Sequence, residues 1–138
     1  MSIFPNGCSP ETGLLAPLRV LLVEDDDDGR EYFSYVLEHR GAAVTAVGSS
    51  ATALAALDRE CPDVLVSDIG MPGEDGYTLI RRVRALEGAP AAVPAIALTA
   101  YARTEDQAKA IHAGFQSHLA KPVEPIELVA MVESLARR

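Results

Sequence analysis

Five carboxylates in a row, Glu24 to Asp28, directly follow the apolar run Val20-Leu21-Leu22-Val23. A short buried strand that ends in mutually repelling anions needs them solvated, capping a helix, or neutralised by a cation. Oxygen-only ligands suit a hard ion such as Mg2+, for which Mn2+ would substitute. Taken alone, such a run is more often a solvated helix start than an ion site, because Asp and Glu are favoured at helix N-termini. Three residues at the ends of other apolar stretches change the balance: Asp68 after Val64-Leu65-Val66-Ser67, Thr99 after Ala95-Ile96-Ala97-Leu98, and Lys121 after Leu119-Ala120. Carboxylates that hold a metal, one carboxylate nucleophile, a hydroxyl donor and an ammonium that offsets phosphate charge are the parts of a phosphoryl-transfer site. Asp68 is the expected nucleophile, since it ends the middle strand, where a metal can screen its charge and the attacked phosphorus can lie in line. The chemistry requires no His or Cys.

These residues converge only if the chain folds to bring strand ends together. Apolar runs of strand length alternate with segments of helical period, the mark of a parallel sheet covered by helices on both faces. Five such pairs are expected. The first strand runs from Arg19 to Glu24, and its helix from about Asp27 to Arg40 buries Phe33, Val36 and Leu37 before Gly41 ends it. Strand two is Ala43 to Val47, and Ser49 or Ser50 caps a helix reaching Arg59. Cys61-Pro62 breaks the pattern before strand three, Asp63 to Ser67.

A Pro- and Gly-containing loop from Met71 to Gly76 precedes a helix marked by Tyr77, Ile80 and Val83 or Arg84. Pro94 stops any helix before strand four, Ala95 to Thr99. Thr104 and Gln107 have capping-box spacing for a helix to about Ala113, with Gly114 just beyond. Strand five, Phe115 to Ala120, alternates as a sheet edge does, and Pro125 suits the first turn of a last helix that buries Leu128, Val132 and Leu135. Right-handed crossovers favour a flavodoxin-like, doubly wound α/β fold of order 2-1-3-4-5. In that order ligands bind at the carboxyl ends of the strands, where Glu24, Asp25, Asp68, Thr99 and Lys121 lie.

At 138 residues, nearly half of them apolar, the chain suits one domain with a sizeable core. A formal charge of -8 argues against direct binding to nucleic acid or to anionic lipid. Cys8 and Cys61 have no metal-ligand spacing and fit a reduced setting. No stretch approaches membrane-spanning length and no secretion signal is present, so a soluble cytoplasmic protein is expected. Residues 1–17, with Pro5, Gly7, Pro10, Gly13 and Pro17, read as a flexible tail or linker, leaving 18–138 as the domain.

The segments LRVLLVEDD at 18 to 26, PDVLVSDIGMPGEDGY at 62 to 77, IALTAYA at 96 to 102 and GFQSHLAKP at 114 to 122 resemble the receiver domain of bacterial two-component response regulators. The resemblance covers Leu18 to about Leu135. It implies that Asp68 accepts a phosphoryl group from a histidine kinase or a histidine phosphotransfer protein. It implies also that Asp25 binds Mg2+ directly, Glu24 through water, and the Gly70 backbone carbonyl completes the protein ligands. Thr99 and Lys121 would contact the phosphoryl oxygens, and Lys121-Pro122 would be cis, as proline permits. The acidic run would then divide, Glu24 and Asp25 facing the ion while Asp26, Asp27 and Asp28 start the first helix.

Phosphorylation, adding roughly one to two negative charges, would draw the Thr99 hydroxyl inward and shift an aromatic on strand five, biasing the surface of helix four, strand five and helix five. That surface is also where a homodimer contact would lie. The aromatic position falls here on His118, a departure from the usual Tyr or Phe. An imidazole at the switch would make the response depend on pH near neutrality, whereas a neutral half-buried His would merely replace the aromatic. Tyr101, two residues after Thr99, would cover the phosphorylated Asp68 and, with Gly70, tune hydrolysis, or else is a surface tyrosine.

A Mg-dependent phosphohydrolase with an Asp nucleophile would use similar groups. It usually needs a second Asp near the nucleophile and a substrate-binding cap, whereas Asp68 is followed by Ile69 and Gly70 without a cap-sized insertion. A flavodoxin-like redox module would need a phosphate loop where the anions after strand one stand. The expected class is therefore a phosphoacceptor signalling domain, not an enzyme with an external substrate. The IALTAYA and AGFQSHLAKPV wording is similar to receivers fused to sensor histidine kinases, so a module of a hybrid kinase and a free-standing regulator are both open. In either, the message passes by protein contact.

Overall fold

β-Branched and leucine-rich runs such as Val20-Leu21-Leu22-Val23 form strands because both of their faces can be buried at once. The computed structural model describes residues 14–70, 75–100 and 104–137. It contains β1 (Arg19–Val23), β2 (Ala43–Val47), β3 (Val64–Asp68), β4 (Ala95–Thr99) and β5 (Ser117–Ala120). The helices are α1 (Asp27–His39), α2 (Ser50–Glu60), α3 (Gly76–Arg84), α4 (Thr104–Ala113) and α5 (Pro125–Ala136), with a 3-10 turn at Ala89–Ala92 before β4. All strand pairs are parallel, in the order β2-β1-β3-β4-β5.

The strand period of two sorts side chains into two cores. Leu21 and Val23 of β1 join Leu65, Ala95 and Ala97 in one core, which α2, α3 and α4 cover through Leu57, Ile80, Val83 and Ala110. Val20 and Leu22 join Val64, Val66, Ile96 and Leu98 in the other, beneath Phe33, Val36 and Leu37 of α1 and Leu128, Val132 and Leu135 of α5. At roughly 1.5–3 kcal/mol for each fully buried large aliphatic side chain, these cores are the main source of stability. No helix among the described residues is long and apolar enough to cross a membrane.

Several boundaries differ from the sequence pattern for local reasons. β3 begins at Val64 because Asp63 serves as a bracket to β1: its N–H donates to the Arg19 carbonyl (2.8 Å) and its carboxylate accepts from the Arg19 N–H (2.8 Å). β5 begins at Ser117, since the Phe115 N–H donates to the Ala110 carbonyl (3.1 Å) and so closes α4. α4 begins at Thr104, where the sequence spacing sets its start. Ser49 caps α2, accepting from the Thr52 N–H (3.2 Å), and Cys61 ends it in a left-handed conformation, φ 47°.

The tail expected up to Pro17 is packed over its last residues. Leu15 is fully buried, its N–H donates to the Arg40 carbonyl (2.8 Å), and Arg137 donates to the carbonyls of Leu14 (3.1 Å) and Ala16 (2.9 Å). Because the clamp comes from the far end of the chain, no local pattern announces it. Arg84 is a second long-range brace. Its guanidinium donates to the carbonyls of Gly114, Ala91 and Val93 and to the Gln116 side chain, and burial lowers its pKa.

Candidate functional site

The register of the sheet decides which side chains meet. Val23 lies beside Ser67, Asp68 beside Leu98, and Thr99 beside Ala120. The next residues of β1 and β5 are thus Glu24 and Lys121, both at the edge reached by Asp68, the last residue of β3. Two further ladder bonds hold them there: the Glu24 N–H donates to the Val47 carbonyl (3.0 Å) and the Lys121 N–H to the Thr99 carbonyl (2.7 Å). Thr99, 4% exposed, ends β4 on the same side.

Glu24, Asp25 and Asp68 each present a carboxylate oxygen within 4.8 Å of the others. Glu24 and Asp68 are buried, at 1% and 6% exposure, and Asp25 is half-buried. The Lys121 ammonium bridges two of them, donating to Glu24 Oε1 at 2.9 Å and lying 3.3 Å from Asp68 Oδ1. Asp68 Oδ1 also accepts from the Gly70 N–H (3.2 Å), and Glu24 Oε2 from the Asp26 N–H (3.3 Å).

The other acids of the run do different work. Asp26 caps α1 by accepting from the Gly29 N–H (2.8 Å), and Asp27 and Asp28 occupy the first helical turn, where its dipole favours negative charge. Gly29 is small for a reason of space, as a Cβ there would meet Asp26 Oδ2 at 3.1 Å and Glu24 Oε1 at 3.3 Å. Arg30, not singled out in the sequence, donates to the Glu24 carbonyl at 2.8 Å and the Asp25 carbonyl at 3.4 Å, and pairs with the Asp27 carboxylate. Its sequence signal is the three-residue spacing from Asp27 on a helix.

The electrostatics of the cluster favour added positive charge. Burial raises the Glu24 carboxyl above its ordinary range, and the neighbouring Asp68 adds to the effect, which Lys121 only partly offsets. Burial works to lower the Lys121 ammonium, but its hydrogen bond to Glu24 and the charges of Asp68 and Glu24 hold it above the usual lysine range. Both shifts are upward, that of Glu24 chiefly from burial and that of Lys121 from the two acids, Glu24 and Asp68, that share its ammonium. The donor set fits a hard divalent ion: three carboxylates, two of them buried, with less cationic charge than they carry.

A pH dependence follows for the metal-free protein. Because the folded Glu24 holds its proton to a higher pH than the unfolded chain does, its contribution to stability is present below the ordinary Glu pKa and is lost as pH rises through the raised one. Lys121 contributes with the same sign, but its share persists through neutral pH and is lost only as pH rises past the usual lysine pKa. In EDTA, thermal midpoints measured from mildly acid to neutral pH should therefore fall, and Glu24→Gln should flatten that slope. An unchanged slope in the variant would remove Glu24 as its source.

The other expected positions are placed as follows. His118 lies on β5 beside Ala97, half-buried, and the Lys121-Pro122 bond is cis. Gly70 follows Asp68 by two residues and has open space around it, with nothing within 4 Å of an added Cβ. Tyr101, like residues 71–74, lies outside the described residues.

Comparison with known proteins gives one family. The sequence model of the response regulator receiver domain matches residues 20–133. An uncharacterised 14.6 kDa protein of Leptolyngbya boryana is 48% identical over 119 residues, covering 86% of this chain and 90% of that one. A putative response regulator from Chloroflexus aurantiacus superposes with a TM-score of 0.83 at 37% identity, covering 88% of this chain and 99% of that one. The receiver domain of a sensor histidine kinase from Pseudomonas aeruginosa, solved with a magnesium ion coordinated in its active site cleft, gives 0.81 at 32% identity over 89% of this chain and 100% of that one. Against transcriptional regulators the chain spans about half the relative's length, as with the Streptomyces coelicolor protein CseB, 37% identical, of which 49% is covered. A fold, a strand-end acid cluster and a family match over residues 20–133 agree, and the chain belongs to the response regulator receiver domains of two-component signalling.

Proposed function

We propose that the domain accepts a phosphoryl group on Asp68 from the phosphohistidine of a histidine kinase or a histidine phosphotransfer protein. The observation that carries this reading is the convergence of Glu24, Asp25 and Asp68 within 4.8 Å under the Lys121 ammonium. A carboxylate oxygen of Asp68 forms the new P–O bond, the P–N bond breaks, and the imidazole leaves and takes a proton from solvent. Lys121 turns from the carboxylates to the incoming phosphoryl oxygens, as a compact point charge can. The Thr99 hydroxyl donates to one of those oxygens, and the Gly70 N–H steadies the attacking carboxylate. Glu24, Asp25, Asp68 and the Gly70 carbonyl would hold the ion. Mg2+, or Mn2+ in its place, would supply positive charge there to offset that of the carboxylates and the phosphoryl group.

The added charge draws Thr99 toward Asp68 and repositions His118, altering the face formed by α4, β5 and α5. Contact with a protein partner, or with a second copy, reads that change. The chain acts on itself alone, as phosphoacceptor and in its own dephosphorylation, and is not an enzyme for an external substrate. The test is to incubate the protein with a small phosphodonor in Mg2+ and in EDTA and read the mass of the intact chain. One added phosphoryl group per chain, appearing only with the divalent ion, is expected. No incorporation, or continuous turnover of the donor like that of a phosphohydrolase, would reject the reading.

A further inference from the structure

We infer that Arg30 is a positioning residue for the metal site, holding the backbone of Glu24 and Asp25 so that their carboxylates are pre-arranged for the ion. The inference rests on the proposed reading of that site. Its guanidinium spans the two peptide groups that matter: one nitrogen donates to the Glu24 carbonyl (2.8 Å) and to the Asp25 carbonyl (3.4 Å). The other terminal nitrogen pairs with Asp27, which fixes the fork to the first turn of α1. Of the three carboxylates in the cluster, two belong to the residues whose carbonyls Arg30 holds.

The end of β2 is shaped to admit this fork. A Cβ on Gly48 would stand 3.1 Å from the Arg30 terminal nitrogen and 3.9 Å from the Glu24 carbonyl oxygen. Gly48 is not in a positive-φ conformation, so its backbone does not require a glycine, whereas the close approach of the guanidinium favours one. The Glu24 N–H is already held by the Val47 carbonyl and Asp26 by the first turn of α1. Bonds to the two carbonyls between these anchors fix the remaining peptide groups while leaving the side chains to face Asp68.

The charge and the geometry of Arg30 act on cation affinity with opposite signs, which makes the inference testable. A guanidinium near the ion repels it, so deleting the charge alone should tighten Mg2+ binding. Loss of the support should weaken it, typically by about 10-fold or more for a residue that orients metal ligands. The experiment measures the Mg2+ dissociation constant by calorimetry for wild type, Arg30→Lys, Arg30→Met and Gly48→Ala. Metal-free thermal unfolding and the phosphorylation rate at saturating Mg2+ are recorded alongside.

Arg30→Lys keeps the charge but lacks the planar fork, and Gly48→Ala keeps the arginine but presses on its terminal nitrogen, which must give by a few tenths of an ångström. We expect all three to bind Mg2+ more weakly, the Arg30 variants by about 10-fold, with the rate at saturating Mg2+ close to wild type. Dissociation constants within two-fold of wild type, or tighter binding in Arg30→Met, would overturn the inference while the phosphoacceptor reading stands. A wild type that neither binds Mg2+ nor takes up phosphoryl groups would remove both. If Arg30→Met unfolds, Gly48→Ala and Arg30→Lys decide the question.

Discussion

Asp68→Asn is expected to lower phosphoryl uptake from a small donor by at least about 100-fold while the chain stays folded. A carboxamide oxygen is a poor nucleophile, and none of the other carboxylates sits at the end of the middle strand between β1 and β4. The fold should tolerate the change because Asn retains an acceptor for the Gly70 N–H and removes one of three clustered anions. Lys121 keeps its partner Glu24 at 2.9 Å. Metal-free thermal stability should accordingly equal or exceed that of wild type. Uptake comparable with wild type would move the acceptor to another residue, whereas loss of uptake with loss of folding would leave only a structural role for Asp68.

A larger effect on stability is expected at Gly76, the first residue of α3. A Cβ there would lie 2.7 Å from the Asp68 carbonyl oxygen and 2.8 Å from Ile69 Cα, both of them backbone atoms with no flexible side chain to give way. The Gly76 N–H also donates to the Ile69 carbonyl (2.9 Å), so helix and strand are locked together at this point. Gly76→Ala should therefore cost about 1–3 kcal/mol as an overpacked contact, outweighing the roughly 0.5–1 kcal/mol that alanine gains over glycine inside a helix. The atoms forced to move carry Asp68, so phosphoryl uptake should fall as well. Gly70→Ala is the matched control, with nothing within 4 Å of its Cβ. Its unfolding midpoint in urea should correspond to a change within about 0.5 kcal/mol. Equal stability in both variants would refute the close-packing account of Gly76.

What the sequence disclosed and what it hid divide by range. Alternation of apolar runs with helical periods located β2 and β4 to the residue, and the strand order then brought Glu24, Asp25, Asp68 and Lys121 together. The split of the acidic run was legible too, since a capping Asp followed by acids in a first turn is a local device, and Asp26 takes that part. Contacts between distant segments were not legible. Arg137 clamping Leu14 and Ala16, and Arg84 gathering the carbonyls of Ala91, Val93 and Gly114, depend on positions that only the finished fold creates.

Gly76 shows the same limit at short range. In the sequence it is one more loop glycine after Met71-Pro72-Gly73, and only the packing of α3 on β3 reveals why a larger residue cannot stand there. Lys121 could be read as a partner for phosphate, but not as a bridge between Glu24 and Asp68. His118 was placed on β5 by position alone, and the structure finds it there, half-buried beside Ala97.

Asp68, among many carboxylates, is the proposed carrier of the phosphoryl group. Borohydride reduction of the phosphorylated chain converts an aspartyl phosphate into homoserine, and peptide mass spectrometry then locates it. Homoserine is expected at position 68 alone, dependent on prior incubation with phosphodonor and Mg2+. Homoserine at any of positions 25 to 28, or unmodified Asp68 in a chain that has gained a phosphoryl group, would contradict it.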